Sequence, residues 1–507
     1  MFAVLFTIFA LHKRLTLSEY TMLNYTKLSL LLSSVCLMGT SLSAKEKGKT
    51  PNLLFIMADQ WRGNAIGYLN IEPVKTPNLD KLASAGVHFT DAVSCYPVSS
   101  PARAMLMTGL YPVSNKVTGN CNSDNTPHGV ELETDVRCWS DVLKEKGYAT
   151  GYLGKWHLDA PVAPYVNTSN NKGKVAWNEW CPSNRRHGFD LWTAYGTYDD
   201  HLKPMYWDTH SSRDSFYYVS EWGPTFEANR AIEYIKNEDG RFRNPEKPFA
   251  LVVSMNPPHT GYELVPEKYK AVYQHVNVDS LAIPESLLAG DKKFVEFYKA
   301  NVLNYYACMT GVDDQIGRII ESLKEEGVFD NTIVVFTSDH GDAMGMHETI
   351  GKNTLYEESM HIPMIISWPD KLKPRKDENL MIGFSDLGPT LLSMMGFEKD
   401  IPEGTQTYNL ASGVLSADNE LEVVQPYYFI VSSDLSSGRR GLRNKRYTFA
   451  IRAEKGVCKE YFLFDRQTDP WQLNNVASKN PELVKKLTSQ LKAHLQRTND
   501  PFANYIN

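Results

Sequence analysis

Four short apolar runs in this chain each end in residues able to bind a cation or move a proton. Asn52–Ala58 leads into Asp59-Gln60, and Tyr148–Leu153 into Gly154-Lys155-Trp156-His157. Phe249–Met255 leads into Asn256-Pro257-Pro258-His259, and Thr332–Thr337 into Ser338-Asp339-His340-Gly341. Asp59, Gln60, Asp339 and His340 offer mainly hard oxygen donors with one imidazole, which suits Ca²⁺ or Mg²⁺ better than zinc. Lys155, His157, His259 and Lys352 add cationic or proton-transferring groups. A divalent cation ringed by such groups calls for an anionic substrate, most simply a phosphate or sulfate ester. Alone, an Asp after a strand is commonly a turn residue or a helix cap. Four such endings together favour a site.

The segment Ser99-Ser100-Pro101-Ala102-Arg103-Ala104-Met105-Leu106-Met107-Thr108-Gly109 is the most specific in the chain. It predicts a helix with Ser99 or Ser100 at the N-cap, Pro101 as first helical residue and Gly109 closing it. A capped helix and nothing more is the plain reading. A nucleophile at Ser99 would instead sit in the positive field of a helix N-terminus. Arg103, four residues on, shares its helix face.

The elements that must position these residues follow from the pattern. The four apolar runs lack alternation, as strands buried on both faces do. Helical patterns at Leu79–Ala85, Ser140–Lys146, Phe226–Lys236 and about Lys293 to Glu325 lie between them. Alternating strands and helices predict a mostly parallel, doubly wound α/β sheet, whose ligands bind beyond the carboxyl ends of its strands. The tail differs. Tyr427–Val431, Tyr447–Arg452 and Lys459–Phe464 read as short hairpin-linked strands, and Glu482–Gln496 as an amphipathic helix with Asn480 as N-cap and Pro481 at N1. A catalytic domain over 45–414 and a small α+β subdomain over 415–507 are expected. Residues 160–224 carry little periodicity and are read as loop-rich.

The chain has 507 residues, 42 % apolar and 22 % charged, which is ordinary globular usage. Its net charge of −6 leaves no basic field to attract nucleic acid. The first 44 residues stand apart. Phe2–Leu11 is apolar, and Leu28–Met38 follows Lys27 and ends in Ser41-Leu42-Ser43-Ala44, the pattern of an export signal cleaved after Ala44. Both runs are short for a membrane span of ~20 residues. Removing residues 1–44 leaves 50 basic against 58 acidic residues, a net charge of −8. Seven Cys in so long a chain do not make a disulfide scaffold, although an oxidising compartment would permit pairs.

The Ser99–Gly109 segment resembles the signature of the type I sulfatases, Cys/Ser-x-Pro-x-Arg-x-x-x-x-Thr-Gly, at every defined position. The resemblance extends through Asn52–Asp59, Gly154-Lys155-Trp156-His157, Pro257-Pro258-His259, Thr337–Gly341, Gly351-Lys352, Leu463-Phe464-Asp465 and Asp469-Pro470, nearly the whole chain after residue 44. It implies an alkaline-phosphatase-like fold with a small C-terminal subdomain. It implies that Ser99 is oxidised to formylglycine by a radical, oxygen-independent maturase, in a bacterium able to live anaerobically; with the export signal, the expected location is the periplasm of a Gram-negative cell, with the cell surface or secretion as alternatives. The hydrated aldehyde has two geminal hydroxyls: one attacks sulfur and displaces the alcohol, and the other, deprotonated, expels sulfate. By the same resemblance Asp59, Gln60, Asp339, His340 and the modified Ser99 would hold one Ca²⁺. Arg103 and Lys155 would stabilise the diol and the sulfate, His157 would act as base, His259 as acid on the leaving oxygen, and Lys352 would hold the sulfate. Gln60 and His340 stand where the family often has Asp and Asn, and losing a charge at Gln60 predicts weaker metal binding.

Two rivals are a phosphodiesterase or phosphonate hydrolase of the same superfamily, and a non-catalytic protein that binds sulfated glycans. The complete maturation signature and the retained Lys and His residues favour sulfate ester hydrolysis. Residues 177–207 gather Trp177, Trp180, Trp192, Tyr198, Trp207, Arg185, Arg186, His187, Asp199, Asp200, His201 and Lys203. Aromatic faces with polar partners suit sugar rings, so a sulfated host glycan such as mucin or glycosaminoglycan is the first expected substrate and an algal polysaccharide the second, with Arg186 or His201 contacting it. No nucleic acid or stable membrane insertion is expected.

Overall fold

The structure, a computed structural model, describes residues 50–281, 283–416 and 421–506. A large sheet runs in the order β11-β2-β10-β9-β1-β8-β4-β5-β6-β7. Its middle strands are β1 (Asn52–Ala58), β4 (Ala149–Lys155), β5 (Leu191–Tyr195), β8 (Phe249–Met255) and β9 (Thr332–Ser338). These five are mutually parallel. The remaining strands are β2 (Val87–Phe89), β6 (Met205–Asp208), β7 (Tyr217–Tyr218), β10 (Met364–Ser367) and β11 (Arg375–Asp377). Antiparallel pairing of β10 with β9 and of β6 with β5 ends the parallel block on both sides. A two-strand pair joins β3 (Ala92–Val93) to β12 (Ile382–Gly383).

Every residue of β1, β8 and β9 is buried. Successive side chains feed two separate cores, which is why these strands read as continuous apolar runs. Leu53, Phe55, Met57, Val252, Ile333 and Val335 face one core, together with α2 (Ser99–Thr108), α3 (Trp139–Glu145) and α6 (Leu387–Met394). Leu54, Ile56, Leu251, Val253, Val334 and Phe336 face the other, together with α1 (Pro77–Ala85), α4 (Gly223–Lys236) and α5 (Lys292–Glu325). The doubly wound α/β arrangement expected from the pattern is the one observed.

A four-stranded antiparallel sheet, β13 (Gln425–Val431), β14 (Asp434–Arg443), β15 (Tyr447–Glu454) and β16 (Val457–Asp465), follows in the C-terminal region. Helix α7 (Pro481–Arg497) lays Leu487, Leu491 and Leu495, spaced four apart, onto it. The same core takes Met105 of α2, so the helix that starts at Ser99 is clamped between the large sheet and the C-terminal layer.

Four local expectations need correction. Helix α2 begins at Ser99 with Val98 at the N-cap, two residues earlier than Pro101 as first helical residue implies. Neither serine caps it, because the Ser99 hydroxyl turns to Asp59 and His340 and the Ser100 hydroxyl donates to the His157 carbonyl. Asn480 does stand at the N-cap of α7, but its amide donates to the Val476 carbonyl instead of capping. The apolar pattern does not predict β14, because its buried residues mix Arg440 and Arg443 with Ser437, Gly438, Gly441 and Leu442 instead of alternating apolar with polar. Residues 160–224 contain β5, the last strand of the parallel block, and the short strands β6 and β7 that carry the sheet to its edge, among their loops.

Residues 1–44, read as an export signal, lie outside the described residues. Among the described residues no helix is long and apolar enough to cross a membrane, and the six cysteines Cys95, Cys121, Cys138, Cys181, Cys308 and Cys458 are free.

Candidate active site

The register of the parallel strands brings the chemistry to one edge. Ala58 pairs with Ser338 on one side and Met255 on the other, so the next residues, Asp59, Asp339 and Asn256, lie level at the carboxyl ends. Lys155 ends β4 beside them. It gets there past Gly154, whose φ is +95° and where a Cβ would lie 2.1 Å from the Ser254 carbonyl oxygen. Only glycine fits that close approach.

Asp59 is the hub. Its Oδ2 receives Lys155 Nζ at 2.7 Å, Arg103 Nη2 at 3.1 Å and the Ser99 hydroxyl at 3.3 Å. Arg103 also donates to Asp339 Oδ2 at 3.0 Å, to the Lys155 carbonyl at 2.7 Å and to Ser254 Oγ at 2.8 Å. Asp59, Ser99, Arg103, Lys155, Asp339 and His340 are at most 1 % exposed. Breaking such a buried ion pair from one side costs about 3–5 kcal/mol, so these contacts are structural as well as chemical. Burial alone would raise the Asp59 carboxyl; Lys155, His259 and Lys352 override it and hold Asp59 well below the usual carboxylate range. Burial and the nearby Asp59 charge push Asp339 up to about 6.

The donors fit a cation. His340 Nδ1 donates to the Gly341 carbonyl at 2.9 Å, which leaves the Nε2 lone pair facing inward. That atom lies 3.1 Å from Ser99 Oγ, 3.4 Å from Asp59 Oδ1 and 3.6 Å from Asp339 Oδ1. Burial, then Lys352, keeps His340 neutral. Buried Asp59 Oδ1 has no hydrogen-bond partner. Lone pairs thus converge without enough protons between them, the arrangement a divalent ion relieves. Gln60 joins the group with its amide oriented. Its Nε2 donates to Asp342 Oδ2 at 2.8 Å and lies 3.4 Å from Tyr262 OH, so its oxygen faces Lys352 Nζ at 2.7 Å.

The two remaining histidines differ. His157 Nε2 meets the Cys121 carbonyl at 3.2 Å and so carries the proton; its buried Nδ1 lone pair has no partner. Burial, then Lys155 and Arg103, holds this imidazole well below its ordinary pKa, leaving it a neutral base. His259 Nδ1 lies 3.2 Å from Asp199 Oδ1 and 3.2 Å from Thr260 Oγ1. Burial, with Lys352 and Lys155, lowers His259 to about 4. The side chains of His259 and Lys352 are 14 % and 17 % exposed, which marks the way in. Three fixed cations, Arg103, Lys155 and Lys352, gather around Asp59 and Asp339, a local concentration of positive groups in an acidic protein.

The Sulfatase family model matches residues 51–397. The chain belongs to the sulfatase family. It is a sulfuric ester hydrolase. A model described as N-sulphoglucosamine sulphohydrolase, C-terminal, matches residues 345–500. The Endo-4-O-sulfatase of Bacteroides thetaiotaomicron is 35 % identical over 90 % of this chain and 94 % of its own. The Ulvan-active sulfatase of Formosa agariphila is 32 % identical over 91 % of this chain and 86 % of its own. A crystal structure from Bacteroides fragilis that carries the name sulfatase yidJ is 60 % identical, with a TM-score of 0.88, over 92 % of this chain and all of that one.

In this sulfatase the aromatic region is mostly scaffold. Arg186 is buried, donates to the Cys181 and Thr209 carbonyls and lies 5.2 Å over the Trp192 ring. His201 is also buried, and its Nε2 donates to the His259 and Thr260 carbonyls at 3.3 and 3.2 Å. Both expected sugar contacts are therefore spent on the backbone; His201 supports the loop that carries His259. Trp177, half-buried with its ring centroid 6.4 Å from that of His157, is the aromatic of this set beside the site. Asp342 and Tyr262, which orient Gln60, escaped the sequence reading, although Asp342 stands two residues beyond His340.

Proposed function

We propose that this sulfatase removes O-sulfate groups from the sugars of host glycans, glycosaminoglycan or mucin, with Ser99 matured to formylglycine and one Ca²⁺ bound by Asp59, Gln60, Asp339 and His340. The observation that carries this reading is the Ser99 hydroxyl, buried between Asp59 and His340 at the one place where Arg103, Lys155 and Lys352 concentrate positive charge. The oxidised residue supplies the nucleophilic hydroxyls and the ion the electrophilic pull on sulfate oxygen. Lys155 and Lys352 hold Asp59 ionised; Arg103 and Lys155 face the anion, and Lys352, at the mouth, also binds the sulfate. The partnerless Nδ1 of His157 takes a proton from the attacking group. His259, at the more exposed end, delivers a proton to the departing sugar oxygen. Burial, then Lys352 and Lys155, hold it neutral before binding; the incoming negative charge of sulfate favours its protonated form. Trp177 offers a ring face to the sugar. The names of the Endo-4-O-sulfatase and Ulvan-active relatives support a polysaccharide substrate. Residues 1–44 fit export to the periplasm, and the Ser-headed signature fits a radical maturase.

The test is the mass of the peptide containing Ser99 from enzyme made in its native host. The reading expects a loss of two hydrogens relative to serine. Unmodified serine in fully active enzyme would overturn it.

A further inference from the structure

Between Lys155 and His259 runs a chain of hydrogen bonds that the residues above do not account for. Lys155 Nζ donates to Asn256 Oδ1 at 3.1 Å. An ammonium has no acceptor, so the amide must present its oxygen there and its NH₂ on the other side. That NH₂ donates to the Tyr198 carbonyl at 2.9 Å and to Asp199 Oδ1 at 3.3 Å. The same Asp199 Oδ1 faces His259 Nδ1 at 3.2 Å. Asn170 brackets Asp199 from behind, with Nδ2 donating to Oδ2 at 3.0 Å and Oδ1 accepting the Asp199 N–H at 3.4 Å.

We infer that Asp199 and Asn256 are positioning residues for His259: Asn256, its orientation fixed by Lys155, holds the Asp199 carboxylate, which fixes the His259 ring and its tautomer for proton delivery to the leaving oxygen. The physical logic is one of acceptors and donors. A carboxylate only accepts, so Nδ1 keeps its proton and Nε2 is the nitrogen that exchanges one with the substrate. The carboxylate also stabilises the imidazolium that the acid role requires. Thr260 Oγ1, 3.2 Å from the same Nδ1, is a neutral second partner and cannot do this. Asn256 is 1 % exposed and level with Asp59 at the sheet edge, so Lys155 serves two ends: its ammonium steadies Asp59 and, through the amide, the histidine on the far side. The Ser99 hydroxyl meets Asp59 and His340, not Asp199 or Asn256, which act through Lys155 and His259. The inference rests on the acid role of His259 proposed above.

The test uses mature, metal-loaded enzyme and aryl sulfates graded by leaving-group basicity, from 4-nitrophenyl to 4-methoxyphenyl sulfate. His259→Ala sets the reference: its loss of kcat/KM should grow with basicity. Asp199→Asn is expected to follow the same trend, losing less than about threefold on 4-nitrophenyl sulfate and roughly tenfold or more on 4-methoxyphenyl sulfate, while Asp199→Glu restores part of the difference. Asn256→Leu should show the same slope in weaker form, and it carries the test should Asp199→Asn not fold. Equal losses across the series for the Asp199 and Asn256 variants, with His259→Ala still graded, would overturn the positioning role alone. A flat series for His259→Ala would overturn the acid role and this inference with it.

Discussion

Glu227 shows how a single buried group reports on the ground beneath the site. It is 1 % exposed in α4, its Oε1 accepts from Tyr206 OH at 3.0 Å, and its Oε2 has no partner. Burial pushes its carboxyl up from 4.5 to about 8. The folded protein therefore holds this proton more tightly than the unfolded chain does. The resulting stability is fully present below about pH 4.5 and is lost as pH rises through about 8. Glu227→Gln keeps the shape and removes the titration. Thermal melting of the two proteins should diverge with pH, the wild type losing about 3 °C or more relative to the variant between pH 6 and pH 9. A difference that stays constant across that range would contradict a buried, protonated Glu227. At this same scale the buried arginine and lysine contacts explain why the individual site residues were recognisable. Asp, Lys and His are seldom found at the end of wholly apolar runs without a partner, so their types and places announced a cluster. Asp342 and Asn256 were not announced, because their work is to orient Gln60, Asp199 and Lys155, and a polar residue after a strand looks alike whether it orients a neighbour or caps a turn.

Among the elements, β4 carries the tightest constraint. Lys155 can point at Asp59 only because Gly154 lets β4 and β8 approach at that level. Gly147 provides a matched comparison, since its φ is +88° and nothing lies within 4 Å of where its Cβ would be. Gly147→Ala should cost about 1 kcal/mol for the unfavourable φ, whereas Gly154→Ala should cost at least about 2 kcal/mol more. Urea unfolding of the two variants measures this directly; equal midpoints would show that the backbone at Gly154 can move aside. The central strands and long helices were legible because each obeys one strong rule, burial on both faces for the strands and a repeating apolar stripe for the helices. β14 obeys neither. Its Arg440 is buried against Asp500 at 2.6 Å and its Arg443 against Glu357 and Asp91, so ion pairs replace the apolar alternation that would have marked a strand. β6 and β7 were hidden for another reason: four and two residues are too few to show a period.

Across the whole molecule, Arg443 ties the C-terminal layer to Asp91 and Glu357 of the large-sheet region, whereas Arg440 pairs with Asp500 within that layer. Arg443 of β14 grips Glu357, five residues after Lys352, with two hydrogen bonds of 2.8 and 2.6 Å. The core beneath β13–β15 takes in Cys95, Tyr96, Val98 and Met105, the approach to Ser99 and its helix. The small sheet thus buttresses both the residue proposed as nucleophile and the lysine proposed to hold the sulfate. Composition gave an acidic protein with no hint of its ligand; the fold gathers Arg103, Lys155 and Lys352 around two carboxylates and creates a local site for an anion. Which anion is the central question, and it is answered by assaying matured enzyme for free sulfate and free phosphate on matched sulfated and phosphorylated sugars. Sulfate release alone is expected, lost upon exhaustive chelation and restored by Ca²⁺, and reduced at least ~10³-fold in Ser99→Ala. Release of phosphate alone, or full activity in Ser99→Ala, would contradict it.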